Sequence, residues 1–465
     1  MMKDLWRYGA NELAKGIAEG AFTSTDVVTS HLDRISAVNP GLNAITCVFE
    51  DAALEAAARI DKAVSAGGEL GPLAGVPVTI KENIDYVGSA TTHGLPAFAE
   101  AIPAANAPVV ERVLAAGAIP IGRTNLPDFA LRLHTDSALR GATSNPWNPE
   151  RTPGGSSGGE AVALATGMSP LGLGTDIGGS LRNPASCCGI ASIKPTQGTV
   201  PHGGTIPVED EAISSQLMNS EGPMARRVAD VRLGFDVLRG YHPRDPNSIS
   251  AEFTAVNRPL KIAVMAEPPG GDVDARISEV VRNAASALEE AGCVVTEALP
   301  PSLEDVFELW ASLLDNDIAL VIPELAPLFS ADAMTFLNDF RGGRDTPAVA
   351  SYAAAFAQRI GIGRKWAAFY RDYDLLLSPT WTQLPFPVGW DIEKPGRAVE
   401  TVRHARCVLP GNALGLPSAC VPAGEVDGLP VGVLLTGARF SDHLCLDGAE
   451  IVENARGHAT PIDPR

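Results

Sequence analysis

Residues 154–182 read GGSSGGEAVALATGMSPLGLGTDIGGSLR, and the fold and the chemistry both turn on them. The stretch opens on Gly154-Gly155-Ser156-Ser157-Gly158-Gly159, four glycines bracketing two serines. Glycine admits positive φ and lets other backbone come close. Glu160 to Gly167 then reads as a helix, so the loop sits at a helix N-terminus with N–H groups to spare. Taken alone, the hexapeptide is also compatible with a plain Gly/Ser turn. A phosphate-binding loop would need G-x-x-x-x-G-K-[ST], and no lysine follows in register. After an apolar strand run at Leu171–Leu173 comes a second glycine turn, Gly174-Thr175-Asp176-Ile177-Gly178-Gly179-Ser180-Leu181-Arg182. A serine behind two glycines can be presented on a tight turn, with the N–H groups of Ile177, Gly178 and Gly179 converging on one place. An oxyanion needs such a cluster, and losing one donor costs about 3 kcal/mol of transition-state stabilisation. The G-x-S-x-G elbow is excluded, because residue 182 is Arg.

Outward from this core, Val76, Val78 and Ile80 alternate as a short strand that ends at Lys81. A lysine just past a strand is ordinarily a solvated end. A buried one would lose part of its basicity to desolvation and become a base near neutral pH. The eight histidines offer no evident nucleophile–base motif, so a serine hydrolase built on lysine is the simpler reading.

Further strands are predicted at 118–122, 260–266, 293–295, 374–379, 418–421 and 431–435. Helices are predicted at 51–66, 109–116 and, behind a cap at Asp274, 275–291. Thr23 and Asp26 form a candidate capping box. Residues 239–259 read as a surface connection and about 303–371 as helical. This alternation predicts an α/β fold, a mixed and mainly parallel sheet with helices on both faces.

The bulk numbers bound the function. With 465 residues, 45% of them hydrophobic, the chain can bury a large core. A formal net charge of −19 argues against nucleic acid and anionic membranes as partners. Seven scattered cysteines without a C-x-x-C pair predict a reduced, cytoplasmic protein with no zinc site. No signal peptide and no apolar run of about 18 residues are found, so neither secretion nor a membrane span is expected.

Together, the Lys81 strand and the two Gly/Ser loops resemble the amidase signature family. Ser180 follows Ser156 by 24 positions and Lys81 by 99. The resemblance extends through Asn145-Pro146-Trp147, Gly222-Pro223-Met224-Ala225-Arg226, Gly415-Leu416-Pro417 and Gly428-Leu429-Pro430-Val431-Gly432. It implies the amidase signature fold as one domain over 1–465. Within it, a helical segment 1–65 packs on a catalytic core of 70–235 and 370–455, and 240–370 forms a more variable helical part.

The resemblance also assigns roles. Ser180 is the nucleophile, Ser156 the proton relay behind a cis peptide with Gly155, and Lys81 the base. The N–H groups from Ile177 through Gly178 and Gly179 to Ser180 hold the oxyanion. Ser157, Asp176 and Arg182 brace the loops, and Asp176 with Arg182 reads equally as a structural pair. Leu131, Arg132 and His134 border the substrate pocket. Arg132 and Arg140 depart from the family pattern, either binding an acidic substrate or reaching solvent. Asp128 stands where Glu is more usual.

The implied activity is hydrolysis of linear amides, with carbamates and esters as further substrates and no cofactor or metal. A monomer or homodimer is expected. The rival readings are the glutamine-hydrolysing component of a tRNA-dependent amidotransferase and a non-catalytic anion-binding module.

Overall fold

Leu375-Leu376-Leu377 shows how the sheet is built. Side chains alternate along a strand, and Leu375 and Leu377 enter one apolar cluster while Leu376 enters another. Ala419 and Val421 part from Cys420, and Val433 and Leu435 from Leu434, in the same way. Strands apolar on both faces need cover on both. The helices at Ala10–Ala18, Val228–Leu238, Ala275–Glu290 and Asp442–Arg456 cover one face. Helices α1 (Gly158–Ala165), α2 (Arg182–Cys188), α3 (Leu303–Leu325) and α4 (Ala331–Arg341) belong to the other.

The computed structural model describes residues 4–206, 210–253, 256–342, 349–457 and 461–465. Small parts of the predicted segments 1–65, 239–259 and 303–371 therefore lie outside the described residues. The main sheet has eleven strands. They are β1 Ile45–Val48, β2 Pro77–Lys81, β3 Ile119–Thr124, β4 Leu171–Asp176, β5 Ala191–Lys194, β6 Ser220–Ala225, β7 Lys261–Val264, β8 Val294–Glu297, β9 Leu375–Pro379, β10 Ser418–Val426 and β11 Leu429–Gly437. Their order is β1-β3-β2-β4-β6-β5-β10-β11-β9-β7-β8.

The sheet is mixed, as expected, but not mainly parallel. Four of its ten pairings are parallel, β2 with β3 and β4, and β7 with β8 and β9; the other six are antiparallel. Two features supply three of the six antiparallel pairings. Strand β6 carries Gly222-Pro223, which hides it from propensity reading, yet it lies antiparallel between β4 and β5. Strands β10 and β11 form a hairpin over Asp427-Gly428, whose φ values of 53° and 74° suit the tight turn that Asp-Gly favours. The predicted caps are present. Thr23 and Asp26 form the capping box, and the Asp274 side chain accepts from Arg276 N–H. No helix among the described residues is long and apolar enough to cross a membrane.

Candidate active site

On β2, Val78 and Ile80 face one cluster, so the two-residue period turns Thr79 and Lys81 to the other side, toward α1. Lys81 is fully buried, not a solvated strand end. Its Nζ donates to Ser156 Oγ at 2.6 Å and to Thr175 Oγ1 at 2.9 Å. Burial lowers the Lys81 pKa to about 7, against the opposing pull of Asp176 and Glu160. Glu160, in the first turn of α1, takes hydrogen bonds from the hydroxyls of Thr79 and Thr124. Burial still pushes it up to about 7.

The Gly155–Ser156 peptide is cis. A Cβ on Gly155 would stand 2.7 Å from Arg132 O and 2.9 Å from His134 N, so only glycine lets that backbone lie on the loop. Ser157 joins the two glycine loops: its N–H donates to Ser180 O at 3.3 Å, and its Oγ to Thr175 O at 3.4 Å. Ser180 is buried beside them. No hydrogen bond joins Ser180 Oγ to Ser156 Oγ, so the expected chain is closed from Lys81 to Ser156 and open at its last link. Such bonds are often looser before substrate arrives.

Asp176 organises the second loop. Its carboxylate accepts from the N–H groups of Gly179 (2.7 Å) and Leu181 (3.0 Å), from Arg182 Nε and Nη2 (2.9 and 2.8 Å) and from Asn412 Nδ2 (2.9 Å). Burial opposes its charge, but Arg182 and these donors hold it well below the usual carboxylate range. The pair is therefore structural and also braces the loop. One expectation changes as a result: the Gly179 N–H is spent on Asp176, because a carboxylate three residues earlier curls over the turn. The N–H groups of Ile177, Gly178 and Ser180 have no acceptor among the described residues.

Ser180, Ile177 and Gly178 open onto a pocket whose wall is apolar and aromatic, with Leu131, Trp310, Leu314, Ile318, Phe336 and Phe340 among its residues. Leu131 is part of this pocket wall. Arg132 touches the pocket, but its guanidinium binds Asp391 through two bonds of 2.7 and 2.9 Å. Arg140 pairs with buried Glu82 at 2.8 Å. Neither arginine is free to bind an acidic substrate, and neither simply reaches solvent. His134 is turned to Thr152 Oγ1 at 3.0 Å and is not part of the pocket wall. Asp128 accepts from the N–H groups of Ala138 and Ser330, a loop-holding role.

Arg132→Met would leave the Asp391 carboxylate buried and unpaired, an expected loss of about 3–5 kcal/mol. Urea unfolding measures it, and a loss under about 1 kcal/mol would mean the pair does not hold this wall.

Sequence reasoning does not single out Thr175, Asn412 or Trp310. Thr175 lies inside the quoted motif and carries a signal there. Asn412 and Trp310 carry no local signal, since their partners are far away along the chain. Among the described residues no group of three or more His, Cys, Asp or Glu side chains is placed to hold a metal ion.

A family profile described as "Amidase" matches residues 26–446. The chain is 40% identical over 459 residues to the indoleacetamide hydrolase of Bradyrhizobium diazoefficiens, covering 97% of this chain and 87% of that one. It is 32% identical over 471 residues to a glutamyl-tRNA(Gln) amidotransferase subunit from Chloroflexus aurantiacus, covering 95% of each. Its structure superposes on that of 6-aminohexanoate cyclic dimer hydrolase with a TM-score of 0.87 and 27% identity, covering 100% of this chain and 99% of the other.

Proposed function

Since this chain belongs to the amidase family, we propose that it is a free-standing hydrolase of small carboxamides whose acyl group is apolar and of aryl size. The observation that carries the reading is the 2.6 Å contact between Lys81 Nζ and Ser156 Oγ in a fully buried place. There a near-neutral amine keeps a lone pair at ordinary pH.

In the proposed cycle Ser180 Oγ attacks the amide carbon. Its proton passes to Ser156 Oγ, and the Ser156 proton passes to Lys81 Nζ. The oxyanion takes hydrogen bonds from the N–H groups of Ile177, Gly178 and Ser180. The C–N bond then breaks, the relay returns the proton to the leaving nitrogen, and an acyl-enzyme remains on Ser180. Water attacks it by the same relay and frees the carboxylic acid. Carbamates and esters, whose carbonyls accept the same attack, are proposed as secondary substrates.

The aromatic pocket wall and the relative named for indoleacetamide both support an arylacetamide. Glutamine suits the site less well, because its α-carboxylate needs a free cation and Arg132, the arginine on this pocket wall, is paired with Asp391. A panel of an arylacetamide, acetamide, an anilide, a carbamate, an ester and glutamine tests the reading on purified protein. The arylacetamide is expected to exceed acetamide by about 10- to 100-fold in kcat/KM, the worth of burying one aryl group. Preference for glutamine would favour the amidotransferase role. Failure of Ser180 to react with a fluorophosphonate probe would favour a binding module.

A further inference from the structure

We propose that Trp310 is a positioning residue for this reaction: its indole N–H sets the plane of the Ile177–Gly178 peptide and thereby aims the Gly178 N–H at the oxyanion. The inference rests on the reading of the site given above.

Trp310 Nε1 donates to Ile177 O at 2.8 Å, across 133 positions of sequence. That peptide is trans, so its C=O and the following N–H lie in one plane and point in opposite directions. Holding the oxygen on the α3 side therefore turns the Gly178 N–H away from the indole. That N–H has no acceptor among the described residues, and Gly178 and Ser180 share the pocket wall.

A turn that contains Gly178-Gly179 has little steric reason to choose one peptide orientation over its flip. The flipped form would present a carbonyl oxygen where the developing negative charge needs a donor. The indole removes that freedom twice. Its N–H holds the carbonyl, and its ring lies against the glycine so closely that a Cβ on Gly178 would stand 2.5 Å from Trp310 Cζ2. Phe340 meets the same ring edge-on, with centroids 5.9 Å apart, and fixes its tilt.

A merely structural role for Trp310, a buried indole satisfying its N–H on the nearest carbonyl, predicts a different result from a positioning role. The two are separated by removing the N–H alone. Trp310→Phe does so crudely; benzothienylalanine incorporated at position 310 does so with the ring outline kept, and serves if the Phe variant fails to fold. The readouts are kcat and KM for the best amide of the panel, and the affinities of two ligands. An arylboronic acid becomes a tetrahedral anion on the serine; the matching aryl alcohol fills the pocket without charge.

Both variants are expected to lose about tenfold or more in kcat, short of the 10²–10³ that deleting an oxyanion donor costs. KM should stay within about twofold. Boronate affinity should fall in step with kcat, and aryl-alcohol affinity should not change. An unaltered kcat in the benzothienylalanine enzyme, or equal weakening of both ligands, overturns the proposal while leaving the amidase reading in place. A wild type inactive on every amide overturns both.

Discussion

Ser180→Ala is expected to remove amide turnover by about a million-fold while the protein stays folded. The serine is buried, yet its hydroxyl makes no hydrogen bond among the described residues. Deleting that oxygen leaves no partner there unsatisfied. Its backbone oxygen still accepts from Ser157 N–H, so the two glycine loops remain joined. Two measurements on the same preparation suffice: steady-state hydrolysis and the thermal unfolding midpoint. An unfolding midpoint near the wild-type value with activity gone identifies the hydroxyl as the nucleophile. Hydrolysis at close to the wild-type rate would take Ser180 out of the mechanism.

Lys81→Met carries the second large effect. The substitution keeps length and apolar packing but takes away the base, and with it about 10²–10⁴ in rate. The wild-type pH profile supplies an independent check. Burial lowers the Lys81 pKa to about 7. The amine is mostly neutral, and competent to receive a proton, above that pH; below it the charged form dominates. The wild-type kcat/KM is therefore expected to level off above about pH 7 and to fall roughly tenfold per pH unit well below it. The residual activity of Lys81→Met should lack that limb. A wild-type profile that runs flat to pH 5 would mean that another group takes the proton.

How far the sequence reveals these features depends on how far apart their parts lie along the chain. Ser156, Ser157, Asp176, Ser180 and Arg182 fall within one short run whose glycines mark both turns. Lys81 ends a strand whose two-residue period already points it away from Val78 and Ile80. These positions are legible because each carries its own local pattern. The capture of the Gly179 N–H has a local pattern too, easily passed over: an aspartate three residues earlier is well placed to take it. The Asp427-Gly428 turn is another, and it bears directly on the strand directions. By contrast, Asp391 meets Arg132, Asn412 meets Asp176 and Trp310 meets Ile177 across 259, 236 and 133 positions respectively. Nothing in the neighbourhood of either partner announces such a meeting. Arg132 stays on the pocket wall with its charge spent on Asp391, and His134 turns to Thr152, for the same reason: a charge or a ring near a pocket acquires its meaning from another side chain.

On the proposed reading, reaction and recognition occupy separate parts of this molecule. Lys81 and the two serines belong to a sheet strand and to the loops beside it, whereas much of the pocket wall comes from α3 and α4. A lineage can therefore drift from one substrate to another by exchanging bulky residues on two helices, with its bond-breaking apparatus inherited intact. Proteins named for substrates as different as indoleacetamide and the 6-aminohexanoate cyclic dimer share sequence or fold with this chain.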